Sequence, residues 1–62
     1  MNDKLLEQYD ELKVLIESLQ TDVVKNANGN KSAGVRARRG LRALKSASAD
    51  LVRATITAEK ER

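Results

Sequence analysis

Leu5, Tyr9, Leu12, Ile16, Leu19 and Val23 follow one another at steps of four, three, four, three and four residues. That spacing lays one apolar stripe along a helix and leaves a seam that a second helix must cover. Leu6 and Leu15 widen the stripe toward the breadth of a bundle helix that meets more than one neighbour. Asn2 is placed to cap the helix start, and Asp3 sits where the positive end of the helix dipole favours an acid.

The pattern stops at "NANGN", residues 26–30. Gly29 suits the left-handed position that follows a helix C-terminus, and Asn30 suits the cap of a second helix. The first helix is therefore expected over about residues 3–27, the turn over about 28–30 and the second helix over about 31–60. So short a connection makes the helices antiparallel. The expected fold is all-α: residues 1–62 form a single helical-hairpin domain that dimerises into a four-helix bundle or coiled-coil-like assembly.

The second helix has its own seam of Gly34, Ala37, Leu41, Leu44, Ser48, Leu51, Thr55 and Ala58, again at steps of three and four. Beside it runs a row of small residues: Gly40, Ala43, Ala47 and Ala54. A glycine inside a helix costs about 1 kcal/mol relative to alanine. Two of the three glycines lie in this helix, which places Gly34 and Gly40 where another helix crosses closely enough to gain dispersion contacts. The packing set is thus Leu5, Tyr9, Leu12, Ile16, Leu19, Val23, Gly34, Gly40, Leu41, Leu44 and Leu51.

Sixty-two residues bury a marginal core, and with neither cysteine nor histidine the chain has no disulfide and no usual zinc site. Self-association is the remaining staple, so a homodimer, or a tetramer, is expected. The amino terminus has no basic stretch followed by an apolar run, and no segment is long and apolar enough for a membrane span. A cytoplasmic protein follows as the expectation, without cofactor, metal or small-molecule substrate. No histidine is present as a general base, and the serines have no partner for nucleophilic catalysis, so an enzyme is not expected.

Charge is divided unevenly. Residues 1–30 hold six acids and three lysines, whereas residues 31–62 hold nine bases and three acids. Projected down the second helix, Lys31, Arg38, Arg39, Arg42, Lys45, Arg53 and Lys60 share an arc of about 120° that contains no acid. Arg36 falls outside it, near the small-residue row. Residues 31–49 lack acids altogether, so like charges repel along most of the helix unless a polyanion, or acids from a neighbouring helix, neutralises them.

Duplex DNA matches that demand, because each phosphate neutralised releases counterions. Arginine forks suit phosphate oxygens. The face offers few Asn or Gln side chains for base reading, and Tyr9, the sole aromatic, lies in the seam of the other helix. Backbone binding with little sequence preference is the expectation, with Lys31, Arg36, Arg38, Arg39, Arg42, Lys45 and Arg53 as the DNA-binding set. The alternatives are a coiled coil docking its basic helix on an acidic partner, and RNA or ribosome binding. A membrane-surface helix is disfavoured by an alanine-rich apolar side with no Trp or Phe.

The stretch "GNKSAGVRARRGLRALKSASADLVRATITAEK" resembles bacterial histone-like proteins of the chlamydial linker-histone-like type. Their pattern G-N-K-x-A-G-x-R-x-R-x-x-L-x-x-L is matched by Gly29, Asn30, Lys31, Ala33, Gly34, Arg36, Arg38, Leu41 and Leu44. "LLEQYDELKVLIESLQTDV" is similar to the acidic, leucine-rich first helix of the same group. The resemblance spans nearly the whole chain. It implies nucleoid-associated DNA binding and compaction by a helical hairpin, with a DNA role for Lys31, Arg36 and Arg38. One departure is the long lysine- and alanine-rich tract that the chlamydial proteins carry at the carboxyl end. The sequence reaches Arg62 without it, so condensation by a disordered tail is not expected of these residues.

Overall fold

Two helices, α1 (Asp3–Ala27) and α2 (Lys31–Lys60), account for almost all of residues 2–61, which the computed structural model describes. Both helix starts are closed by asparagine. The Asn2 Oδ1 accepts from the Leu5 amide at 3.0 Å, and the Asn30 Oδ1 accepts from the Ala33 amide at 2.9 Å. Each bond satisfies one of the amides that a helix start leaves unpaired.

The reversal between them is a Schellman turn. Gly29 adopts φ 101°, its amide donates to the Asn26 carbonyl at 2.9 Å, and the Asn30 amide donates to the Lys25 carbonyl at 3.0 Å. A side chain at that left-handed position would crowd the following carbonyl, which is why glycine occupies it. The Asn26 Nδ2 adds a bond to the Asn30 carbonyl at 3.3 Å. A reversal this short sends α2 back along α1.

The helices meet through one row of α1 and a face of small residues on α2. Leu5, Leu12, Leu15 and Leu19 lie on the α1 row, and Ala33, Gly34, Ala37, Gly40, Leu44, Ala47, Leu51, Ala54 and Ala58 lie on the facing side of α2, all buried or half-buried. Leu19 is the one large side chain among the buried residues. The result is a rod with Cα extents of 49 × 15 × 11 Å and a radius of gyration of 14.7 Å. A compact chain of this length has a radius near 11 Å.

The packing departs from the heptad reading in one respect. Leu5, Leu12 and Leu19 face α2, but Tyr9, Ile16 and Val23 turn aside and remain 51%, 50% and 45% exposed. Leu15 and the half-buried Asp22 complete the inner row instead. On α2, Leu41 likewise stays 47% exposed, while Gly40, Ala47 and Ala54 lie inside. The apolar stripe is wider than one alanine-lined partner helix can cover. Gly34 and Gly40 do lie where another helix crosses, and that helix is α1 of the same chain. A Cβ on Gly40 would overlap the Leu19 Cδ2, and one on Gly34 would overlap the Asn26 Nδ2.

Candidate nucleic-acid interface

The basic arc of α2 lies on the side turned away from α1. The residues of α2 that pack on α1 centre on a direction about 180° round the helix from the middle of the arc. Lys31, Arg38, Arg39, Arg42, Lys45, Arg53 and Lys60 are accordingly exposed. Lys31, Arg38, Arg39, Arg42 and Lys45 form no ion pair with α1 or with their own helix among the described residues. These five span about 21 Å of helix at 1.5 Å per residue. The first turn of α2 holds no acid, so the positive end of its dipole adds to the field at Lys31.

Two other candidates are engaged within the chain. The Arg36 Nε donates to the Asp22 Oδ1 at 3.0 Å, across the helix interface. Arg36 thus belongs to an interhelical edge rather than to the arc. Asp22 gave no signal as a charged residue, but its spacing from Leu15 and Leu19 puts it on the row that meets α2. Arg53 pairs with Asp50 one turn earlier on its own helix, with both side chains largely exposed. Such a pair contributes little and yields readily to a phosphate. The remaining ion pair, Lys13 to Asp10 at 3.2 Å, lies on α1, with the Lys13 ammonium 5.2 Å from the Tyr9 ring centre.

The Asp22–Arg36 bridge also fixes which edges of the two helices share a side of the rod. In an antiparallel pair, residues displaced in the same rotational sense from the packing rows fall on the same side. Asp22 and Arg36 are displaced one way. Leu6, Tyr9, Ile16 and Val23 on α1, and Leu41, Val52 and Ile56 on α2, are displaced the other way by about 40–140°, with Ile56 on the border that the face shares with Arg38. These seven side chains, 45–59% exposed, form one apolar face across both helices. The molecule therefore has three distinct surfaces: a cationic back on α2, a charged edge at Asp22–Arg36, and an apolar broad face.

Among the described residues no acidic cluster could hold a metal ion, and no helix is long and apolar enough to cross a membrane. Among the described residues the surface carries open depressions, such as that between Leu12, Leu15 and Ala47. This is a helical hairpin whose positive charge is concentrated in a strip of arginine and lysine on the back of α2. Residues 6–62 match the family described as Histone H1-like protein Hc1, and the chain belongs to that family. Comparisons with curated proteins and with solved structures gave no match.

Proposed function

We propose that the chain is a nucleoid-associated protein of the cytoplasm that binds duplex DNA by its phosphates through the back of α2. The observation that carries this reading is the run of five exposed cations, Lys31, Arg38, Arg39, Arg42 and Lys45, without an acidic partner among the described residues. Leaving them so is unfavourable for an isolated helix and favourable beside a polyanion. Membership of a histone H1-like family supports DNA as that polyanion. Arg53 and Lys60 extend the strip toward the carboxyl end, and Arg36 serves the hairpin instead.

The strip reads charge and not sequence. Phosphate contacts fix position on the duplex but carry no base information. Self-association into a homodimer completes the reading, because two strips on one particle can hold a longer stretch of DNA or bring two segments together. The hairpin exposes 5079 Å², about 1,000 Å² more than a compact monomer of 6.9 kDa.

Fluorescence anisotropy on unrelated duplexes tests the reading. The expected binding is similar for each duplex and falls with salt at a log–log slope of roughly −4 to −5, about 0.9 per cation engaged. A slope near zero, or tRNA and double-stranded RNA displacing the duplex at far lower concentration than DNA itself, overturns DNA as the ligand.

A further inference from the structure

We propose that the broad apolar face is the self-association surface, and that a second copy seats on it with α1 of each chain over α2 of the other. The inference rests on the self-association proposed above and is independent of DNA. Leu6, Tyr9, Ile16, Leu41, Val52 and Ile56 lie about half exposed on one side of the rod. The surplus surface of about 1,000 Å² per chain compares with about 800 Å² per partner in a stable protein interface. A second copy is the occupant because it brings an apolar face of the same length and outline.

The charged margins choose the orientation. The α1 side of the face is bordered by Glu17 and by Asp10, which is paired with Lys13, and the α2 side by Arg38 and Lys45, with Glu59 toward the far end, so the first margin is acidic in sum and the second basic. Two-fold rotation about an axis along the rod puts each α1 over the partner's α2 and brings margins of opposite summed charge together on both sides, the Lys13 charge being held by Asp10 of its own chain. Rotation about an axis across the rod stacks like helix on like helix, with acid over acid and base over base. The levels agree as well. Leu19 lies opposite Gly40 and Asp22 opposite Arg36, which sets Glu17 within about one helical turn of Lys45 in the favoured arrangement. Glu17 and Lys45 have no ion-pair partner among the described residues of their own chain.

One consequence divides the basic strip. Arg38 and Lys45, on its near edge, meet the partner's acids, while Lys31, Arg39 and Arg42 stay turned outward. Lys31, Arg39 and Arg42 then serve the polyanion alone, whereas Arg38 and Lys45 are shared between the partner's acids and the polyanion.

Sedimentation equilibrium without DNA, at low salt, tests this with wild type, Glu17→Lys, Lys45→Glu and the double variant, each checked for helicity by circular dichroism. The expected result is a dimeric wild type, a dissociation constant raised at least tenfold in either single variant, and recovery to within about threefold in the double variant. Val14→Glu, on the opposite side of α1, leaves association unchanged. A monomeric wild type overturns both self-association and this arrangement. A dimeric wild type whose single variants associate normally, or whose double variant fails to recover, overturns the arrangement alone and leaves self-association standing.

Discussion

The Leu19 Cδ2 occupies the space that a Cβ on Gly40 would fill. The glycine therefore accepts a knob from the facing helix, and the helix penalty of about 1 kcal/mol is set against the burial of Leu19, the one large side chain among the buried residues. A buried Leu side chain contributes about 1.5–3 kcal/mol, so the exchange is favourable.

Substitution at the two helical glycines separates packing from propensity. Gly40→Leu forces Leu19 out and is expected to lower stability by about 2 kcal/mol or more. Gly34→Ala pushes aside the exposed Asn26 amide and its bond to the Asn30 carbonyl, a loss that the gain in helix propensity of about 1 kcal/mol offsets, so the net change is expected to be small. Urea denaturation followed by circular dichroism measures both. Equal effects would remove the distinction between them.

Asp22→Ala removes the interhelical bridge and leaves the basic strip intact. The Asp22 side chain is 23% exposed and that of Arg36 is 51% exposed, so the loss is expected to be about 0.5–1 kcal/mol and to shrink as salt rises. DNA affinity is expected to stay within about twofold, since Arg36 does not share the face. A large loss of affinity in Arg36→Ala, with stability preserved, would return that residue to the binding set.

Arg39→Glu/Arg42→Glu reverses two exposed cations that form no ion pair among the described residues. The expected result is a fall in duplex affinity of at least about 100-fold at low salt, with a salt slope shallower by about 2. Helicity and sedimentation are expected to remain those of the wild type. Retained affinity in anisotropy titrations would exclude this face from contact with DNA.

Gly29→Ala tests the reversal. With φ at 101°, the added methyl is expected to cost about 1 kcal/mol. Asn30→Ala is expected to lose a similar amount by leaving the Ala33 amide without its cap. Thermal unfolding of the two single variants and their combination measures both contributions.

The hairpin was legible because its signals are local. Gly29 and the two asparagines at the helix starts act through bonds to residues three or four positions away, so the turn and both caps can be read from short strings. The side of α2 that carries the arginines was legible for a similar reason, since helix periodicity alone sets it opposite the alanine face. The inner row of α1 was not. Heptad spacing fits Tyr9, Ile16 and Val23 as well as it fits Leu15 and Asp22, and the choice depends on how small the facing surface is. Asp22 entered as one acid among six in residues 1–30, and only the register with α2 pairs it with Arg36. Arg36 shows what only the fold adds: the motif groups it with the other arginines, and the register with α1 gives it Asp22 as a partner.

The Schellman turn, finally, bears on how the molecule comes together. Its closing bonds span at most five residues, from Lys25 to Asn30, so the loop that must be ordered first is among the shortest a chain can form. Contacts between α1 and α2 then grow outward from it in sequence order, each closing a loop only slightly longer than the last. Such zippering has low contact order and proceeds on the microsecond-to-millisecond scale. The cation-rich half of α2 is expected to condense earliest along that route, and the far ends of the two helices to meet last.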